Sequence, residues 1–129
     1  MASITMQIPI AADADTVWAA VRDVGHPHHL FAPVLTDARL DGDARVVTFA
    51  NGMTVREQIV DLDDEARRFA YSVVDGPFDH HHASFAVHAE PDGSSTLTWI
   101  TDLLPEAVAP MVEGLMQQGA AAAQATLGC

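Results

Sequence analysis

The amino-acid sequence predicts an α+β domain, in which a curved antiparallel β-sheet surrounds one long C-terminal helix and leaves an internal cavity. Between residues 34 and 103, apolar residues recur at every second position, and short turn sequences separate the segments, as in antiparallel strands. From Pro105 to Leu127, apolar and small residues recur with helical spacing, so this helix needs a sheet face to cover it. We expect residues 1–129 to form a single domain.

The first strand and helix follow from local pattern. Alternation of apolar and polar residues predicts a strand over Ile4–Ile10. Asp13 or Asp15 is a candidate N-cap for the next helix, and Gly25 and Pro27 end it. A short second helix is expected over His28–Phe31.

Six further strands complete a predicted seven-stranded sheet. The turn sequences between them are rich in Asp, Asn, Gly and Pro, and Asn51-Gly52 is typical of a two-residue hairpin. Such short connections make consecutive strands antiparallel neighbours. The predicted strands are Val34–Leu40, Arg45–Ala50, Met53–Leu62, Arg67–Asp75, His80–Ala89 and Ser95–Leu103.

Composition narrows the possible partners. The chain has six Arg, no Lys and a formal net charge of −12, so its surface repels nucleic acid and anionic membranes. Neither a signal peptide nor a membrane-spanning run is apparent. Cys129 is the single cysteine, which excludes an intrachain disulfide. We therefore expect a cytoplasmic monomer or homodimer without a cofactor, whose partner is a hydrophobic small molecule.

Strand alternation also predicts which residues line the interior. On the strand Met53–Leu62, Glu57 lies on an otherwise apolar inner face. Mostly apolar walls with a few polar groups are typical of a small-molecule pocket. Besides Glu57, His81 and Tyr71, the candidate ligand-binding residues are Trp99, Phe85, Phe49, Val55, Ile59, Thr36, Val87 and Met116.

Glu57 is the leading candidate for chemistry. Burial raises the pKa of a carboxyl group toward neutrality, which suits a general acid or base. Alternatively, Glu57 pairs with an arginine such as Arg39 or Arg45. His81 is a possible proton-transfer partner or a solvated loop histidine, and Tyr71 could donate a hydroxyl hydrogen bond or simply pack in the core.

The seven histidines do not predict a metal site. His80, His81 and His82 are consecutive, and three more lie at positions 26, 28 and 29. None of these groups has a recognised ligand spacing such as H-x-x-x-H. We expect no native metal.

The order of elements, the segment VWAAVRDVGHPHHLFAPV and the long terminal helix resemble the SRPBCC or START-like superfamily, in particular its polyketide cyclase/dehydrase-like branch. The resemblance covers nearly the whole chain. It implies a helix-grip fold with a cavity for hydrophobic ligands, and we expect this cavity to open near the loops at Asp75–Asp79 and Gly25–Pro33. Members of this superfamily include aromatic polyketide cyclases and binders of lipids and hormones.

The segment REQIVDLDDEARRFAYSVVDGPFDHHH also resembles the plant abscisic acid receptors. This resemblance implies that Glu57 is a pocket residue and that Gly76-Pro77-Phe78 lies near the pocket mouth. Thr36 stands where those receptors have a lysine that anchors the ligand, so hormone reception is not expected.

Two functions follow from the sequence. The first is a cofactor-independent cyclase or dehydratase acting on a polyketide-like or aromatic molecule, with Glu57 as acid/base and His81 and Tyr71 assisting. The alternative is a non-catalytic binder or carrier of a hydrophobic small molecule. Catalysis needs a pair of interacting titratable groups, whereas binding tolerates Glu57 alone.

Overall fold

The computed structural model describes residues 1–128 and contains one seven-stranded antiparallel sheet. Its strands lie in the order β1-β7-β6-β5-β4-β3-β2, so six of them form a meander and the first strand pairs with the last. This confirms the predicted α+β helix-grip fold. The strands are β1 (Ala2–Ile10), β2 (Leu35–Asp41), β3 (Ala44–Phe49), β4 (Thr54–Asp63), β5 (Arg68–Val73), β6 (His80–Ala89) and β7 (Ser95–Leu104).

Two short helices follow β1. Helix α1 spans Ala14–Arg22, and helix α2 spans Pro27–Leu30. Asp13 is the N-cap of α1, because its side-chain oxygen accepts the backbone N–H of Thr16 at 2.8 Å. On α1, Trp18 is buried and donates its Nε1–H to Asp64 at 2.9 Å.

The long helix α3 spans Ala109–Leu127 and starts later than predicted. A regular helix from Glu106 would place the Pro110 ring against the Glu106 carbonyl oxygen. The chain instead forms a 3₁₀ turn over Glu106–Val108, which leaves Pro110 in the first turn of α3. No helix within residues 1–128 has the length and apolar composition that a membrane crossing requires.

Close approach between α3 and the sheet depends on Gly119. A Cβ atom at this position would lie 2.9 Å from Cζ3 of Trp99, which is closer than side-chain contacts allow. The Trp99 ring cannot easily retreat, because it packs against Phe85 and Phe31 with ring centroids 4.7 and 5.8 Å apart. Gly119 therefore sets the distance between the helix and the sheet.

Gly119→Ala should lower the free energy of unfolding by about 1 kcal/mol, because overpacking outweighs the gain in helix propensity. Gly114→Ala is the matched control on the same helix, since a Cβ there would meet nothing within 4 Å. The control should raise the free energy of unfolding by about 0.5–1 kcal/mol. Urea denaturation measures both, and equal effects of the two substitutions would refute the close packing at Gly119.

Candidate functional site

A cavity of about 400 Å³ lies between the concave face of the sheet and α3. Most of the side chains that line it are apolar. Exposed residues mark its mouth: Met53 and Thr54 after β3, the loop over residues 75–77, and Met111 on α3. The predicted opening near Asp75–Asp79 is thus close to the observed one. The other predicted segment, Gly25–Pro33, contributes only Phe31 to the walls.

An ion pair between Arg45 and Glu57 lies in the wall of this cavity. The two residues are directly opposite each other on β3 and β4, and Nε of Arg45 lies 2.7 Å from Oε1 of Glu57. Both residues are buried, with exposed fractions of 4% and 8%. The guanidinium also stacks over the rings of Phe69 and Tyr71, 4.9 and 5.4 Å from their centroids. Glu57 is therefore a paired carboxylate.

His81 enters the cavity from β6 in a fixed tautomer. Its Nδ1 accepts the backbone N–H of Val73 at 3.0 Å, so the proton of the neutral ring is on Nε2. Burial, followed by the neighbouring His82 and His80, lowers the pKa of His81 to about 4. At neutral pH this side chain is therefore an uncharged hydrogen-bond donor.

The pKa of His81 predicts a loss of stability in acid. The unfolded chain binds the proton below its ordinary pKa of 6.5, whereas the folded protein binds it only near 4. The contribution of His81 is thus fully present above pH 6.5 and is lost as the pH falls toward 4, by about 2 kcal/mol once water at the cavity mouth is allowed for.

His81→Asn is the informative variant, because its side-chain oxygen can still accept the Val73 N–H but does not titrate. We expect the free energy of unfolding of the wild type to fall more steeply than that of the variant between these two pH values. The other six histidines are present in both proteins, so the difference between the two curves reports on position 81. Parallel curves would contradict the buried, neutral His81.

Tyr71 contributes a second hydrogen-bond donor, its hydroxyl group. Burial, and secondarily the charge of Glu57, raises the pKa of Tyr71, while Arg45 and Trp99 oppose this effect more weakly. The hydroxyl therefore keeps its proton at neutral pH. The indole Nε1 of Trp99, which also lines the cavity, is buried without a hydrogen-bond partner in the described residues.

The polar atoms of this wall that have no hydrogen-bond partner within residues 1–128 and are not sealed from the cavity include Glu57 Oε2, Tyr71 Oη and His81 Nε2. They belong to buried residues that all line the same cavity. Buried polar groups normally find a partner. These atoms therefore form a polar patch, defined here as Glu57, Tyr71 and His81, which can hydrogen-bond to a molecule inside.

Comparison with known families assigns the chain to one of them. The family model described as polyketide cyclase/dehydrase and lipid transport matches residues 1–128. The chain belongs to this family. No curated protein sequence matches it.

Solved structures share the fold of this polyketide cyclase/dehydrase-family protein. XoxI from Bacillus cereus is 20% identical, with a TM-score of 0.89 over 98% of this chain and 96% of that chain. A START superfamily protein from Mycobacterium smegmatis is 15% identical, with a TM-score of 0.77 over 97% and 96%. Norcoclaurine synthase from Thalictrum flavum is 19% identical, with a TM-score of 0.77 over 98% and 93%.

Most of the site residues predicted from the sequence line the cavity of this family member. Glu57, His81 and Tyr71 all line it. Glu57 and His81 share no hydrogen bond or ion pair in the described chain, because Val73 on β5 lies between them. The predicted ligand-binding residues that line the cavity are Trp99, Phe85, Phe49, Val55 and Met116.

Three predicted lining residues lie elsewhere. Thr36 is exposed, because a register shift in β2 between Leu35 and Asp37 turns Leu35 inward in its place. Ile59 and Val87 belong to the main core cluster and do not line the cavity. Alternation along a strand predicts that Ile59 and Val87 face inward. It does not predict whether the space in front of them is filled by core side chains or belongs to the cavity.

Arg45 was predicted only as one possible partner of Glu57 and not as part of the cavity wall. Strand alternation could have identified Arg45, because it lies on the same face of β3 as Phe49, a predicted lining residue. Leu115, in the first half of α3, also lines the cavity and was not among the predicted lining residues.

The histidines that precede and form α2 lie close together, with the ring centroids of His26, His28 and His29 separated by 4.5–5.9 Å. Within residues 1–128, no group of three His, Cys, Asp or Glu side chains is arranged to hold a metal ion.

Proposed function

We propose that this protein binds a hydrophobic small molecule in the cavity between the sheet and α3. The observation that carries the proposal is the cavity itself, whose volume of about 400 Å³ and mainly apolar walls are typical of small-molecule sites. The family, described as polyketide cyclase/dehydrase and lipid transport, supports a ligand of this kind. The polar patch supplies the few hydrogen-bonding groups that orient such a ligand.

N-phenyl-1-naphthylamine, an uncharged probe that fluoresces in apolar surroundings, tests the proposal. Val112→Trp places an indole in the cavity, because Val112 is a buried lining residue on α3. We expect saturable binding to the wild type, weakened at least about tenfold by this substitution. Glu113→Trp is the matched control, since residue 113 is exposed on the same helix. Equal binding by the wild type and both variants would place the probe outside the cavity and refute the proposal.

A second candidate is a cyclase or dehydratase that acts without a cofactor on a polyketide-like or aromatic molecule. The observation that favours it is the pairing of a carboxylate with a cation and two hydrogen-bond donors in one cavity. Oε2 of Glu57 would accept a proton from a carbon between two carbonyls. Arg45, with Tyr71 and His81 as donors, would stabilise the enolate oxygen while the carbon attacks a second carbonyl. The C=O π bond of that carbonyl opens as the new C–C bond forms, and the resulting alkoxide takes the proton back from Glu57.

Deuterium exchange at C2 of ethyl benzoylacetate, followed by NMR in deuterated water, tests proton abstraction without knowledge of the natural substrate. We expect the wild type to exceed the buffer rate and Glu57→Gln to lose this excess. The control Glu65→Gln removes the same charge from an exposed turn. If the wild type exchanges at the buffer rate, the enzymatic candidate is dropped and the binding proposal stands alone.

A further inference from the structure

The charges of the cavity wall are nearly balanced. Three charged residues line the cavity at neutral pH: Arg45, Glu57 and Asp75. Arg45 and Glu57 neutralise each other at 2.7 Å. Asp75 lies at the mouth, where its carboxylate accepts the backbone N–H of Arg56 at 3.2 Å. Within the described walls no unpaired cation is present, because His81 is neutral.

The hydrogen-bonding atoms of the polar patch are two donors and one acceptor. His81 offers Nε2–H, because its Nδ1 is occupied by the backbone of β5. Tyr71 offers its hydroxyl proton, and Oε2 of Glu57 accepts. Two donors suit a carbonyl or hydroxyl oxygen, and the acceptor suits an adjacent hydroxyl.

Either sign of charge on a ligand meets a like charge inside the cavity. A carboxylate would approach Glu57 and pass Asp75 at the mouth, and the whole chain carries a net charge of −12. An ammonium group would approach the buried guanidinium of Arg45. A charged ligand would also lose its hydration without gaining an unpaired counter-ion.

We infer that the cavity selects uncharged molecules carrying a carbonyl or hydroxyl oxygen on an apolar body, and that it rejects carboxylates and amines of the same shape. The inference rests on the proposed function and adds the chemistry of the polar end of the ligand. Free fatty acids and other organic anions are then excluded as ligands. Ketones, esters and phenols are accepted.

Four naphthalenes of similar size test this selectivity by displacing N-phenyl-1-naphthylamine from the wild type at neutral pH. They are 2-acetylnaphthalene, 2-naphthoate, 2-naphthylmethylamine and 2-ethylnaphthalene. We expect 2-acetylnaphthalene to bind at least about tenfold more tightly than the carboxylate and the amine, and more tightly than 2-ethylnaphthalene, which has no oxygen.

Glu57→Gln then tests the cause, because it leaves the charge of Arg45 without its counter-ion. The affinity for 2-naphthoate should rise at least about tenfold, while that for 2-acetylnaphthalene changes little. Glu65→Gln, which changes the net charge equally on an exposed turn, should leave both affinities unchanged.

The possible failures are distinguishable. If N-phenyl-1-naphthylamine does not bind the wild type in the cavity, the proposed function fails and the inference fails with it. If the probe binds but 2-naphthoate or the amine displaces it as well as 2-acetylnaphthalene does, only the inference is overturned. Equal affinity for 2-ethylnaphthalene would overturn the role assigned to the polar patch. The wild-type comparison needs no variant, so poor folding of Glu57→Gln does not remove the test.

Discussion

Arg45→Met should lower the free energy of unfolding by about 3–5 kcal/mol, the typical cost of leaving one member of a buried ion pair without its partner. Glu57 is 8% exposed, and Nε of Arg45 is its hydrogen-bond donor in the described structure. The substitution also removes the guanidinium from the faces of Phe69 and Tyr71. Chemical denaturation at neutral pH measures the effect.

The double variant Arg45→Met/Glu57→Leu distinguishes the loss of the ion pair from the loss of packing around it. Replacing both charges with apolar side chains of similar volume is often neutral or stabilising, so the double variant should recover most of the stability that Arg45→Met loses. Arg39→Met is the control. Arg39 is exposed, and its ion pair with Asp41 is long, with Nη1 and Oδ2 3.9 Å apart. If the double variant is as unstable as Arg45→Met, the loss comes from packing and the ion-pair interpretation is wrong.

Phe85→Ala should have a stability cost of similar size, about 3–5 kcal/mol. Phe85 is 2% exposed on β6, and its ring packs against Trp99, Phe31 and Tyr71 with centroid distances of 4.7, 5.8 and 5.9 Å. Removing it joins new empty space to the existing cavity, and the rings around it cannot collapse fully to fill the gap. Thermal and chemical denaturation measure the cost.

Val60→Ala is the control for Phe85→Ala, because Val60 is 51% exposed on β4 and its truncation opens no void. It should change the free energy of unfolding by less than about 1 kcal/mol. If Phe85→Ala also costs less than about 1 kcal/mol, the aromatic cluster is not a rigid wall of the cavity.

Alternation within strands made much of this protein predictable. Glu57 is the one charged residue among apolar neighbours on the inner face of β4, and the structure places it in the cavity. The parity of β6 and β7 likewise identified Phe85 and Trp99 as wall residues. A period of two can be read directly from the residues because it is a property of the extended backbone.

What the sequence did not determine depends on irregularities and on contacts between distant segments. The register shift at Thr36 reverses the parity of β2 through a single residue, and no residue type marks it. Which arginine pairs with Glu57 depends on the register between β3 and β4, which places Arg45 opposite it and leaves Arg39 outside. The tautomer of His81 depends on a backbone N–H of the adjacent strand.

The two tryptophans of this chain allow a direct test, by NMR, of whether the cavity is a ligand site. Trp99 lines the cavity, whereas Trp18 lies on α1 and donates its indole proton to Asp64. In the ¹⁵N spectrum the two indole N–H signals are assigned with Trp18→Phe, and 2-acetylnaphthalene is then titrated into the wild type. We expect a saturable shift of the Trp99 signal with the Trp18 signal unmoved. A Trp99 signal that stays in place, or a shift confined to Trp18, would contradict binding in the cavity.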